Sequence, residues 1–220
     1  MRCIVTAGPA YEPLDQVRRL TNFSTGRLGT ELARYLVASG HEVTLLLGEQ
    51  ATFRAELGAQ ETRVFSTAGS LRDSLQKLSA SPFDAIYHAA AVSDFAFGQV
   101  WTKSASGELT PAVSGKFSTR QGTLLAELVP APKIIAHLRD WFPAATLVGW
   151  KYEVEGTRAE VLELAARQIR ECRTDACVAN GPAYGAGFGV LRTGLSALHC
   201  ENTPALFKAL AECAVSRGKS

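Results

Sequence analysis

Between Gly8 and Gly29 the chain gathers residue types that bind anions. A short apolar strand, Cys3–Thr6, breaks at Gly8-Pro9, and a helix starts at Arg27 after a turn built from Asn22, Ser24, Thr25, Gly26 and Gly29. Free backbone N–H groups at a helix start, together with the positive end of the helix dipole, favour phosphate there. The approach to that turn is long. Strand-to-helix loops in α/β units run to about 2–6 residues, so the Pro-bearing connection from Gly8 to Asn22 is expected to carry function of its own. Asn22 would also suit a helix N-cap, as would Ser24 or Thr25, so residue type alone leaves its role open.

The elements that must position this turn follow from hydrophobic periodicity. A helix is predicted over Arg27–Ser39, with Leu28, Leu32, Tyr35 and Leu36 on one face and Gly40 as its stop. Val43–Leu47 is an uninterrupted apolar strand, as expected where both faces are covered. Thr62–Phe65 and Asp84–His88 read as further strands around a helix over Ser70–Leu78. This β-α-β-α-β order predicts a doubly wound, mainly parallel Rossmann-like sheet in a single α/β domain spanning 1–220. From about Gly98 to Gly122 periodicity lapses, which predicts a long lid loop. Beyond it the pattern gives a strand (Thr123–Leu128), a helix (Pro132–Trp141), a strand (Ala145–Trp150), a helix (Arg158–Cys172) and a strand (Ala176–Ala179). A hairpin near Val190–His199 and a closing helix (Pro204–Ser216) complete it. Ligands of open α/β sheets bind at the carboxyl ends of the strands. Gly8–Asn22, Ala89–Asp94, the lid and Trp150–Glu153 all fall at such ends, so one cleft could gather them.

Composition narrows the classes. Apolar residues make up 46% and charged residues 20% of the 220, with a net charge of +2. These are ordinary values for a soluble domain, and without a basic stripe they give no case for nucleic acid. The five cysteines (Cys3, Cys172, Cys177, Cys200, Cys213) form no Cys-x-x-Cys pair and are expected as reduced core thiols. No apolar run reaches the roughly 18 residues of a membrane span, and Met1 leads straight into a strand; a cytoplasmic protein with no membrane partner is expected. No metal ligand set is evident.

A dinucleotide fold would need a glycine fingerprint after the first strand and an acidic residue closing the second; Gly48 stands there, with Glu49 a step late. An NAD(P)-dependent reductase of short-chain type is therefore the weaker alternative, and no Tyr-x-x-x-Lys supports it. Four segments match something more specific: Val5-Thr6-Ala7-Gly8-Pro9 through Glu12-Pro13-Leu14-Asp15, Val17-Arg18 and Leu20-Thr21-Asn22 to Ser24-Thr25-Gly26; His88–Phe95; a lysine in a flexible stretch; and Val178-Ala179-Asn180-Gly181. In this order, over nearly the whole chain, they resemble the phosphopantothenoylcysteine synthetase family, in a stand-alone form without the flavin decarboxylase domain. The resemblance implies ligation of 4′-phosphopantothenate to cysteine through an acyl-nucleotide intermediate, with ATP or CTP as co-substrate and Mg²⁺, in a homodimer whose lid reaches across the interface.

By the same resemblance, Asn22 matches the asparagine that binds the substrate carboxylate and the acyl nucleotide, and Arg18, placed one helical turn earlier, an arginine tied to activity. A carboxylate attacking a phosphate brings two anions together, so fixed donors are needed there. The Ala89–Asp94 segment implies a nucleotide lying against small side chains, with Ala90 also at the acid substrate and Asp94 near the cation or the sugar–base edge. Lys116 matches the lysine of a mobile arm that closes over the phosphates, with Lys103 as its rival. Ser24, Gly26, His88, Ala89, Pro132, Ile134, Ile135 and Trp150 complete the implied nucleotide contacts. The chain departs from the bacterial pattern where Lys133 follows Pro132, at Gly149-Trp150-Lys151-Tyr152-Glu153, and at Gln168 and Cys172, where paired lysines are expected. Nucleotide choice is thereby open. A diverged nucleotide-binding paralogue is a further alternative, and Lys151 or Arg167 are candidates to restore the phosphate contacts.

Overall fold

The fold is taken from a computed structural model that describes residues 1–217 except Ala55, Leu57, Thr119 and Gln121. Buried apolar strands supply its centre. In chain order the elements are β1 (Arg2–Ala7), β2 (Tyr11–Pro13), β3 (Arg19–Thr21), α1 (Arg27–Ala38), β4 (Glu42–Gly48), β5 (Glu61–Phe65) and α2 (Ala68–Leu78). There follow β6 (Ala85–His88), β7 (Phe95–Lys103), β8 (Leu109–Pro111), β9 (Thr123–Pro130), α3 (Leu138–Trp141), β10 (Thr146–Tyr152) and α4 (Arg158–Cys172). The chain closes with β11 (Ala176–Asn180), β12 (Phe188–Arg192), β13 (Leu198–Cys200) and α5 (Thr203–Arg217).

The main sheet has the order β13-β12-β11-β10-β6-β1-β4-β5, parallel from β11 to β5 and closed at one edge by the antiparallel pair β12 and β13. Strand side chains alternate between faces. Cys3, Val5, Ala7, Tyr87 and Val148 therefore pack against α1 and α5, through Leu32, Leu36, Leu206 and Leu210. Ile4, Leu46, Ile86 and Leu147 pack oppositely, against Leu71, Leu75 and Leu138 of α2 and α3. Helix α4 covers β11 on that second side through Val161, Ala165 and Ile169. Its start is fixed by a capping box between Thr157 and Glu160, as α2 is by Thr67 and Ser70. The chain leaves β1 for α1 on one face and leaves β6 for the opposite face. The crevice between β1 and β6 is thus a topological switch point, where open α/β sheets place ligands.

Three expectations are revised. The segment read as an aperiodic lid is built on a separate antiparallel sheet, β8-β7-β9, which also takes Thr123–Leu128 out of the main sheet. Its strands lack a clean alternation because the sheet is mostly exposed: along β7 only Val100 is buried, and along β9 no residue is. The predicted helix Pro132–Trp141 is a 3-10 turn (Ile134–His137) followed by the single turn α3. Lys133 stays extended there, keeping Pro132 outside the helix. Arg18 is not one helical turn from Asn22. The intervening Arg19–Thr21 is strand β3, paired with β2 in a two-stranded ribbon.

Candidate functional site

Glycines bring the first loop down onto the sheet. Gly8 and Gly26 both hold positive φ, +81° and +79°, and a Cβ on either would lie 3.0 Å from the Ala51 Cβ. A Cβ at Gly48 would run into the carbonyl oxygen of Pro9. Only glycines let these three backbones meet. Gly29 does the same for α1, where a Cβ would sit 2.6 Å from that of Ala7. Gly26 is the N-cap of α1 and no side chain caps the helix from that position; Thr25 Oγ1 accepts the Arg27 N–H at 3.3 Å. Neither Asn22 nor Ser24 is the N-cap residue.

Asn22 is turned instead toward the loop after β6. Its Nδ2 donates to the Ala91 carbonyl at 3.3 Å. Ala91 is itself paired with the first loop, accepting from Ala10 N–H at 3.0 Å and donating to Gly8 O at 3.0 Å. The loops after β1 and β6 are therefore stitched by backbone bonds, and the Asn22 amide sits on the seam. Thr21 Oγ1 adds a bond to Ala10 O at 3.0 Å.

Beneath the seam lies a buried polar pair. Thr6 Oγ1 accepts from the Ala90 N–H at 3.0 Å and meets His88 Nδ1 at 3.1 Å. Burial pushes the His88 imidazole down to about 4, so it is neutral at physiological pH. The Thr6 hydroxyl can donate to Nδ1 while accepting from Ala90, which leaves the His88 proton on Nε2. His88 is 8% exposed, and its ring is linked to the Ala90 backbone through Thr6.

The expected nucleotide-side residues form a second run of contacts. Asp94 is exposed, and its carbonyl accepts from Ala131 N–H at 2.8 Å, which sets Pro132 beside it. Ile134 is buried in the core, so its backbone alone is available. A Cβ at Gly149 would lie 2.7 Å from Ile135 Cδ1, which brings Ile135 against the strand that carries Trp150. The indole Nε1 of Trp150 is buried and finds no hydrogen-bond partner among the described residues. Gln168 crowds Gly149 and bonds Cys177 Sγ at 3.3 Å. Cys172 is buried, which raises its pKa, and the nearby Lys133 charge partly offsets this. Lys133 thus brings a cation toward the face of α4 that Gln168 and Cys172 leave neutral. Lys151 is paired with Glu153 at 2.9 Å, and Arg167 lies 3.8 Å from Glu171.

Arg18 reaches the backbone next to Lys116, on the ribbon rather than at the seam. Arg18 bonds Asp15 at 2.6 Å and the Phe117 carbonyl at 3.1 Å, next to the exposed Lys116. Ser24 is half-buried, while Ala89 and Ala90 line the seam. Sequence reasoning missed Thr6, Asp15 and Ala51. Asp15 stood inside the matched motif, and its charge was the available signal. Thr6 stood inside the same motif but its type gave no sign of its partners, and Ala51 gave no signal, because their roles arise only from packing. Among the described residues no group of three or more His, Cys, Asp or Glu side chains could hold a metal ion. Mg²⁺ is commonly bound by one or two carboxylates and by substrate phosphates, and Asp94 offers an exposed carboxylate after β6. All five cysteines are buried thiols outside any disulfide, as expected, and burial pushes Cys3 and Cys177 up to about 12. No described helix is long and apolar enough to cross a membrane.

Comparison with known proteins adds the following. The family profile described as "DNA/pantothenate metabolism flavoprotein C-terminal domain" matches residues 1–214. The coenzyme A biosynthesis bifunctional protein CoaBC of Thermococcus kodakarensis is 31% identical over 180 residues, covering 81% of this chain and 41% of that protein. The protein of the same name from Mycobacterium bovis is 31% identical over 190 residues, covering 86% and 44%. The chain thus spans less than half the length of these relatives. Among solved structures, a DNA/pantothenate metabolism flavoprotein from Streptococcus pneumoniae superposes with a TM-score of 0.83 at 21% identity, covering 98% of this chain and 99% of the other. A complex of a Cab2 mutant with phosphopantothenate-cysteine superposes at 0.73 with 16% identity, covering 100% and 89%. At these identities the superpositions establish the doubly wound fold.

Proposed function

The chain belongs to the DNA/pantothenate metabolism flavoprotein C-terminal domain family, and from that premise we propose that it is a nucleotide-dependent ligase joining 4′-phosphopantothenate to cysteine in the cytoplasm. The observation that carries the reading is the Asn22 amide on the Ala91 carbonyl, at the crevice between β1 and β6. In the first step a carboxylate oxygen of the acid forms a bond to the α-phosphorus of ATP or CTP, and the bond to the β-phosphate oxygen breaks to release pyrophosphate. In the second step the cysteine amine attacks the acyl carbon, loses a proton, and displaces the nucleoside monophosphate.

Asn22 supplies a donor where two anions meet, Arg18 adds its charge from the adjoining ribbon, and Ala89 and Ala90 let the acyl nucleotide lie against the backbone. Ser24 and Gly26 offer the open start of α1 to phosphate. His88 holds the Ala90 backbone through Thr6. Asp94, Pro132, Ile134, Ile135 and Trp150 face the nucleoside, and Lys116 offsets charge on the phosphates. Asp94 would offer a carboxylate to Mg²⁺, which would supply charge neutralisation of the triphosphate. The active form is a homodimer, expected at twice the chain mass in light scattering.

The test is pyrophosphate release on mixing the chain with 4′-phosphopantothenate, cysteine, Mg²⁺ and either ATP or CTP. Release with one nucleotide, dependent on the acid, is the expected outcome; none with either sinks the reading. The packing of Gln168 and Cys172, where cationic contacts are expected, favours a second reading: a nucleotide-binding paralogue without turnover. Saturable nucleotide binding in the absence of release would identify it.

A further inference from the structure

Lys116 lies on an exposed arm, where a lysine would ordinarily be a freely solvated charge. Its neighbours are not free. Asp15, whose side chain has no solvent exposure, takes four donors. Oδ1 accepts from Val17 N–H at 2.8 Å and Arg18 N–H at 2.7 Å, a local turn. Oδ2 accepts from Arg18 Nη1 at 2.6 Å and, across the fold, from Phe117 N–H at 3.2 Å. Arg18 Nη2 then donates to Phe117 O at 3.1 Å, so both backbone groups of Phe117 are held by one ion pair. Gly115 O accepts from Gln16 N–H at 3.0 Å on the other side of Lys116. Ser114 Oγ accepts the Lys116 N–H at 3.2 Å and donates to its carbonyl at 2.8 Å. Phe117 is 4% exposed and anchors the segment.

We infer that Asp15 is a positioning residue for Lys116: through Arg18 and the Phe117 backbone it latches the arm to the β2–β3 ribbon and fixes where the Lys116 ammonium is presented. The chemistry explains the choice of a buried carboxylate. Burial alone would raise its pKa, but the N–H groups of Val17, Phe117 and Arg18 and the Arg18 guanidinium hold it below the ordinary carboxylate range. It therefore stays ionised, and an ionised acceptor makes shorter and stronger bonds than a neutral one. The latch also holds the Arg18 guanidinium beside the backbone that carries Lys116, so the two cations are positioned together.

The catalytic half of this inference rests on the ligase reading; the latch itself does not. Asp15→Asn keeps the shape and removes the charge. Hydrogen exchange at the Phe117 and Gln16 amides should then rise about tenfold or more, the size expected for losing one charged hydrogen bond. In turnover, Lys116→Ala should lower kcat by about 100-fold and Asp15→Asn by about tenfold. The double variant should be no slower than Lys116→Ala, because both changes remove one unit. KM for cysteine should not move. Unchanged exchange in Asp15→Asn overturns the latch, and effects that multiply in the double variant overturn its link to Lys116. Should the wild-type chain release no pyrophosphate, the ligase reading falls alone, and exchange still judges the latch. Should Asp15→Asn fail to fold, Asp15→Glu takes its place: the longer side chain displaces the acceptor, so faster exchange at the Phe117 amide with a parallel loss in kcat is expected, and no change in either refutes the proposal.

Discussion

The two sides of the candidate site are built by different physics. The seam between the β1 and β6 loops is wired by backbone. Ala10, Ala91 and Gly8 pair directly, three glycines allow the approach, and strands with no exposed core residue lie beneath. The arm carrying Lys116 is held mainly by side chains: β7 and β9 bury one residue between them, and its registry on the ribbon rests on the Asp15–Arg18 pair with one backbone bond, Gln16 N–H to Gly115 O. A backbone seam over a packed sheet is stiff because loosening it opens the core. A latch of one ion pair on an exposed sheet can open alone. The contrast suits a ligase in which acid and acyl nucleotide stay fixed while charge is brought to the phosphates.

Native-state hydrogen exchange should show the contrast at its largest. Amides paired in β1 and β6 should exchange about 1,000-fold more slowly than those in β7 and β9. Equal protection in the two sheets would erase the distinction. A second measure addresses the floor of the seam. An unfolded His88 takes up its proton near 6.5, but the folded imidazole does so only near 4. The unfolded chain therefore holds more protons in that window, and stability rises with pH through it, by about 3 kcal/mol in all. Urea titrations between pH 4 and 7 should show the slope, and His88→Gln should flatten it; His41, also lowered by burial, leaves a smaller residue of the same sign.

Asn22→Asp tests the seam's chemistry. Replacing the amide donor by an anion beside the Ala91 carbonyl should cost about 100-fold in kcat, the scale of a lost positioned donor, with the thermal midpoint little changed. Full activity would remove Asn22 from the reaction. The smallest effect concerns packing. Gly48→Ala drives a Cβ into the Pro9 carbonyl and should destabilise by about 1–3 kcal/mol. Gly69→Ala, at the start of α2 with its nearest neighbour at 3.6 Å, should be neutral or stabilising by up to about 1 kcal/mol. Thermal melts of the two variants decide it, and equal midpoints would argue against the glycine contact.

Legibility in the sequence follows the same division. The helix read over Arg27–Ser39 is Arg27–Ala38, that over Arg158–Cys172 is matched at both ends, and Val43–Leu47 lies within Glu42–Gly48. These elements bury a regular stripe or both faces, and burial writes periodicity into the residues. β7 and β9 bury almost nothing, so Phe95–Lys103 carries no alternation to read, and Thr123–Leu128, read as a strand and found within Thr123–Pro130, gives no sign that it pairs with β7. Pro132–Trp141 looked helical by its apolar residues, but its first residues stay extended. Among the site residues, Asn22 and the alanines after His88 stood out by type and order. Thr6 and Ala51 are ordinary residues whose roles come from what packs against them.

The sequence by itself determined the family, the doubly wound α/β order and the residue types at the strand ends, because hydrophobic period and motif order are local properties of the chain. Only the tertiary structure decided that Asn22 reaches Ala91 rather than capping α1, that His88 acts through Thr6, and that Asp15 governs the segment around Lys116. Those contacts join residues 69, 82 and 102 positions apart. No local pattern encodes such distances; they exist once the parallel strands are side by side.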